Sequence, residues 1–172
     1  MDTIFIVANV FSTIACVVMV AIGFLKKKDH IVLGQCVQLG FLGISNFMLG
    51  AVAGGIGNAL GVIRNLVLPK VAKPLYWKVG FIAVQLVLTL LTWDYVTWVA
   101  WIPFMYAVIL TCVLDTKSVT VFKVAIIIAQ ALFCLYDWHY KNMGGMAANV
   151  LTIASNTISI IVEHKKAAKA SA

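Results

Sequence analysis

Acidic side chains are scarce: 6 Asp and Glu stand against 13 Lys and Arg in 172 residues, and charged residues make up only 11% of the chain. A soluble domain carries about a quarter charged residues, so a water-facing globule is excluded. A disordered chain and a nucleic-acid binder are excluded on the same ground, since both need charge density that is absent. Cysteines are few, and Cys16, Cys36, Cys112 and Cys134 all fall in apolar runs with no Cys-x-x-Cys pair. They read as small packing residues rather than as disulfides or metal ligands. A glycine-rich phosphate loop is missing, as is any Ser/His/Asp cluster. His30, His139 and His164 are scattered at the ends of apolar runs, and the last run has no interior lysine for a retinal Schiff base. No enzymatic activity, cofactor or metal is expected.

What is present is apolar: 63% of the residues, with a mean hydropathy of +1.02. Seven runs reach or approach the roughly 20 residues that cross a bilayer: 3–25, 31–46, 47–68, 79–93, 97–114, 118–136 and 142–162. Runs two and three touch, so a tight polar turn is expected at Ser45 and Asn46. Tyr76, Trp77 and Lys78 extend run four into the interface. With seven spans and the N-terminus outside, twelve of the thirteen basic residues fall on the inner side and only Lys141 outside. Merging runs two and three loses that asymmetry, so an N-out, C-in chain of seven helices is expected. Span 1 follows Asp2, lacks a basic leading region and a small-x-small cleavage site, and reads as a retained helix.

Shifting the chain on itself by 91 residues lays spans 1–3 over spans 5–7 without a gap. Gly54, Asn58, Leu60 and Asn65 then meet Gly145, Asn149, Leu151 and Asn156, and Lys26 meets Lys117. Span 4 inverts the connection, so the two units are expected to lie parallel. The division is 1–69 for a first triple-helix bundle, 70–96 for a linker helix with its loops, 97–164 for a second bundle and 165–172 for a cytoplasmic tail.

Polar residues in hydrocarbon mark contacts or pathways. Small residues at four-residue spacing on spans 3 and 7 suit close helix packing. Asn58 and Asn149 stand at matching mid-membrane positions, and each offers a donor and an acceptor, so both are candidate solute contacts or interhelical ties. Gln38 and Gln130 are further candidates, with Gln35 and Gln85 beside them as helix–helix ties. Trp101 and Tyr106 can stack on a ring or pack in the core. Pro103 is expected to kink span 5 and act as a hinge or a static bend. Arg64, Asn65 and Asn156 lie toward the inner side as a candidate gate or anion contact, with snorkelling to the interface the ordinary role for Arg64. Asp2, Asp94 and Asp137 fall in outer segments and Asp29, Asp115 and Glu163 in inner ones, so no span is expected to bury a carboxylate. Ion-coupled carriers generally need such a group, and its absence favours passage down the solute's own gradient.

A 3+1+3 chain of this polarity resembles the SWEET/PQ-loop (MtN3-like) superfamily of transporters. The segments Ser45-Asn46-Phe47-Met48-Leu49-Gly50 and Val62-Ile63-Arg64, with Pro103, Met143-Gly144-Gly145 and Asn156, resemble the YgjV-type bacterial inner-membrane proteins over nearly the whole chain. The resemblance implies an all-α membrane fold, two triple-helix bundles about a central path, and residence in the bacterial inner membrane. In sugar-carrying SWEET proteins an Asn pair on the third and seventh helices is similar in position to Asn58 and Asn149. The function expected is facilitated transport of a small neutral polar solute by alternating access. The alternative is a membrane receptor or partner subunit without transport. The expected partners are the lipid bilayer and the solute, with no nucleic acid; the glycine-rich faces also permit a homo-oligomer.

Overall fold

A computed structural model of the chain describes residues 3–71, 74–91 and 97–170, with side chains throughout except at 74 and 167–170. Asp2, Lys73 and Asp94 lie outside the described residues, as does the side chain of Lys169. Seven α-helices follow in order: α1 Thr3–Gly23, α2 Lys28–Met48, α3 Val52–Val67, α4 Pro74–Leu91, α5 Ile102–Val113, α6 Val119–His139 and α7 Met143–Ala170. Short 3-10 turns at Leu68–Lys70 and Trp98–Trp101 follow α3 and precede α5. Hydrocarbon offers no partner for a free peptide group, so long apolar segments satisfy their backbones internally as helices. Among the described residues five helical segments have the length and hydropathy to cross a membrane: 3–23, 28–48, 52–70, 119–139 and 143–166. The described parts of α4 and α5 are apolar but shorter.

The three prolines punctuate these helices. Pro69 closes α3 into its 3-10 turn, Pro74 opens α4 and Pro103 stands in the first turn of α5. A helix's first turn has no use for the N–H that proline lacks. Pro103 therefore marks the change from 3-10 to α-helix at Trp101–Ile102, at the start of α5 rather than inside it.

Polarity is distributed as in a lipid-facing protein. Val17 and Leu91 are 68% and 72% exposed, whereas Gln35, Gln38, Asn58 and Asn149 are buried. Apolar side chains face outward because the surrounding lipid is as apolar as they are, and polar ones turn inward to find partners.

Helix α1 packs on α2 and α7, α2 also on α3, and α6 on α5 and α7. Lighter contacts join α3 to α5 and α4 to both. Two seams, α1–α7 and α3–α5, thus bring helices 1–3 against helices 5–7. The glycine face of α3 sits at these contacts: a Cβ at Gly57 would lie 3.3 Å from Pro103, and one at Gly61 2.9 Å from Leu39.

The turn between α2 and α3 is not at Ser45 and Asn46, as the sequence suggests, but at 49–51; both polar residues remain in α2 and point inward, buried. The α6–α7 turn is built the same way 91 positions on. Ala51 N–H donates to the Asn46 carbonyl and Asn142 N–H to the Asp137 carbonyl, both at 2.8 Å. Gly50 N–H to Phe47 and Lys141 N–H to Trp138 match at 3.2 Å. Gly50 (φ +75°) and Lys141 (φ +55°) take the same left-handed conformation.

Only glycine adopts that conformation without strain, which for other L-residues costs about 1–2 kcal/mol. A Cβ at Gly50 would meet open space, so only the backbone penalty would act there. Gly50→Ala is expected to lower stability by about 1 kcal/mol and Lys141→Gly to raise it by about as much. Thermal denaturation in detergent checks both, and a Lys141→Gly protein no more stable than the parent would remove the strain argument.

Candidate functional site

Two ends of the bundle can be told apart by their chemistry. The turn end carries the α2–α3 and α6–α7 turns and the start of α1. The opposite end carries the α1–α2 and α5–α6 connections, the close of α3 and the later part of α7.

At the turn end buried polar contacts join α1, α2 and α3 to α6 and the α6–α7 turn. Ser12 Oγ of α1 donates to Asn142 Oδ1 at 2.8 Å and lies 2.6 Å from Ser45 Oγ of α2. Asn142 Oδ1 also accepts from Gly145 N–H at 2.9 Å, while its Nδ2 donates to Asp137 Oδ1 at 3.1 Å and Asn46 Oδ1 at 3.4 Å. Every donor and acceptor of that side chain is thereby used. Asp137 Oδ2 accepts from Asn149 Nδ2 at 2.7 Å. Tyr136 reaches the other way: its Oη accepts from Gly54 N–H at 2.8 Å and donates to the Ala51 carbonyl at 3.4 Å.

The first turn of a helix leaves N–H groups without an intrahelical partner. In α7, Asn142 caps its own helix through Gly145. Ala51, at the same place before α3, has no side-chain acceptor, and Tyr136 of α6 supplies one. Tyr136→Phe is expected to cost about 1–2 kcal/mol by orphaning the buried Gly54 N–H. Faster hydrogen exchange at Gly54 and its neighbours would register it, and unchanged protection there would contradict the assigned cap.

Asp137 corrects an expectation. Helix α6 runs to His139, so this carboxylate is not in a loop; it is 1% exposed and held by two amides. The argument for a carboxylate-free interior, and for gradient-driven passage drawn from it, loses its premise. Lys123, counted among the inner-side cations, lies within α6. It is fully buried, with Nζ 2.7 Å from Ser159 Oγ and 3.1 Å from Glu163 Oε1 on α7.

At the opposite end Arg64 is 2% exposed and does not snorkel. Its Nε and Nη2 both donate to Asn65 Oδ1, at 3.1 and 3.0 Å, and Nη1 reaches the Ala107 carbonyl at 3.3 Å and Thr111 Oγ1 at 3.4 Å on α5. Inward acceptors from two helices hold it where a surface cation was expected. Asn65 Nδ2 donates in turn to Gln35 Oε1 at 3.4 Å. Beside Asn65 opens a cavity of about 610 Å³, lined also by Lys28, Asp29, Lys70 and Asp115. Lys78 bonds Asp115 at 2.6 Å, and this hydrogen bond holds the Asp115 carboxyl below the usual carboxylate range. A second cavity of about 420 Å³ lies between Phe24, Lys26, Val119, Ser159 and Glu163.

The other candidates are distributed between these ends. Asn149 gives its donor to Asp137, while Asn58 is buried against Gly43 of α2 with Nδ2 unpartnered. Gln38 is buried with an unpartnered Oε1; Gln130 is buried on α6. Tyr106 packs edge-on to Phe133 at 4.7 Å in an aromatic row that continues to Tyr136. Trp101 packs edge-on to Phe104 at 6.1 Å, and Asn156 bonds the carbonyl of Thr152 on its own helix. Sequence reasoning missed Ser12, Ser45, Asn46 and Asn142 as site residues. Offset matching does place Asn46 opposite Asp137 and Ala51 opposite Asn142, and that was the available signal.

This architecture meets an independent comparison. The family model Imp-YgjV, described as a bacterial inner membrane protein, matches residues 6–167. The chain belongs to this family. YgjV proteins reside in the bacterial inner membrane, which accords with the exposed apolar surface and the spanning helices. No curated protein and no solved structure matches the chain.

Proposed function

We propose that this YgjV protein carries a small polar solute across the inner membrane, with helices α1–α3 and α5–α7 as parallel SWEET-like halves that rock about the two seams. The matched turns, the equal helix limits of α2 and α6 after a shift of 91, and the α1–α7 and α3–α5 pairings support the two-half reading. The observation that carries transport is the contrast between ends. Hydrogen bonds from Gly54 to Tyr136 and from Ser12 to Asn142 close the turn end between helices 1–3 and helices 5–7, while the opposite end opens into the 610 Å³ cavity. That is the arrangement of a carrier resting open to one side. The exposed lysines on the segments of that end, Lys26, Lys27, Lys70, Lys165 and Lys166, favour the cytoplasm for that side. Asn58, with an unpartnered donor between the two ends, is the central solute contact.

The test is flux. Proteoliposomes would be challenged with ribose, glycerol, erythritol, amino acids and succinate, following swelling by light scattering. A cysteine-depleted Ser12→Cys/Asn142→Cys protein would be compared before and after oxidation. Flux above that of empty vesicles for at least one solute, lost on oxidation and regained on reduction, is expected. The absence of flux for every solute, with the fold intact, would favour the receptor or partner-subunit role.

A further inference from the structure

We propose that Arg64 and Gln35, with Asn65 as the neutral group that holds the place in the empty state, form a binding site for a pair of anionic oxygens, the carboxylate or phosphate of a solute or of a lipid headgroup, at the wall of the 610 Å³ cavity. The inference rests on the carrier reading and deepens it, because a neutral solute was the expectation and an anion replaces it.

Arg64 is buried, yet each acceptor around its guanidinium is neutral. Among the described residues the ion pairs are Lys78–Asp115 and Lys123–Glu163, and Arg64 belongs to neither. A buried cation without an anion is unfavourable and is seldom left so. The Nε and Nη2 groups form the edge that grips a carboxylate or phosphate through two parallel hydrogen bonds. Here that edge converges on the single oxygen Asn65 Oδ1, and Asn65 itself lines the cavity. The amide thus occupies the place of a two-oxygen anion with one neutral oxygen.

The surroundings suit an exchange of one for the other. Gln35 Nε2 is buried without a partner next to Asn65. Lys28 and Lys70 stand on the same cavity wall. Of the two carboxylates on that wall, Asp115 is engaged by Lys78, and Asp29 is exposed in the first turn of α2. Arg64 belongs to α3 and holds Ala107 and Thr111 of α5, so an anion that displaced Asn65 Oδ1 from its Nε/Nη2 edge would bind at a seam between the halves.

Thermal stability of the full chain in dodecylmaltoside tests this. Succinate and inorganic phosphate would be added against erythritol and matched sodium chloride, and phosphatidylglycerol against phosphatidylcholine. Wild type, Arg64→Lys and Asn65→Ala would be compared. Stabilisation by succinate or phosphate assigns the site to a solute; stabilisation by phosphatidylglycerol alone assigns it to a lipid headgroup. In either case Arg64→Lys is expected to weaken binding about tenfold by losing the planar edge. Asn65→Ala keeps the arginine and removes its competitor, so its response to the anion should exceed that of wild type. This second variant decides the matter if Arg64→Lys does not fold. No anion-specific stabilisation in wild type or Asn65→Ala, or an undiminished one in folded Arg64→Lys, overturns the site. Flux of neutral solutes would survive such a result, and anion binding without any flux would instead remove the carrier reading.

Discussion

Asp137→Ala is expected to destabilise the protein by about 2–6 kcal/mol, among the largest effects expected of a single polar truncation here. The carboxylate accepts from Asn142 Nδ2 and Asn149 Nδ2, and both amides are buried. Leaving a buried donor unpaired costs about 1–3 kcal/mol, and alanine would leave two. Disturbing Asn142 also disturbs its bonds to Ser12 and Asn46, which tie α1 and α2 to the α6–α7 turn. Asp137→Asn keeps one acceptor and the volume, so roughly half the loss is expected from it. Reversible unfolding in mixed detergent and dodecyl sulfate micelles measures both. An Asp137→Ala protein within about 1 kcal/mol of the parent would mean that the network contributes little.

A second large effect is expected at Lys123, where its size depends on whether one partner or the whole pair is removed. Its ammonium is fully buried and relies on Ser159 and Glu163. Removing one partner of a buried pair typically costs about 3–5 kcal/mol, whereas replacing the whole pair by apolar groups is often neutral. The Glu163 side chain is 35% exposed, so water recovers part of the loss, and about 2 kcal/mol is expected for Glu163→Ala. Lys123→Met/Glu163→Ala should then lie close to wild type. A double-mutant cycle in the same micelles reads the coupling directly, and additive single effects would show that the ammonium does not depend on Glu163.

The helices were legible because hydrocarbon imposes one requirement, a self-satisfied backbone, and apolar runs answer it. Their ends were less so. Ser45, Asn46 and Asp137 look like loop residues in a one-dimensional reading, yet α2 and α6 continue through them because each finds a buried partner on another segment. The buried partners of Arg64 and Lys123 were not legible for the same reason: Thr111 lies 47 positions from Arg64, and Glu163 40 from Lys123. Asn58 and Asn149 were equivalent in sequence but are not in chemistry. The second half has a carboxylate at position 137 to take the amide of Asn149, and the first half has Asn46 at the corresponding place.

The borrowed cap on α3 works like a spring with a set rest position. On the carrier reading, each separation of the turn end strips Gly54 of the Tyr136 hydroxyl, and Ala51 has nothing to offer in its stead. The work of opening therefore includes a fixed amount that no solute supplies. Ala51→Asn would give α3 a cap of its own, as Asn142 does for α7. A cap is worth about 1 kcal/mol, enough to multiply the open population about fivefold, and maleimide labelling of a cysteine at Ser12 would report it. The halves share a plan, and on the carrier reading the exchange of Ala51 for Asn142 between their turns biases which way the molecule leans when nothing is bound.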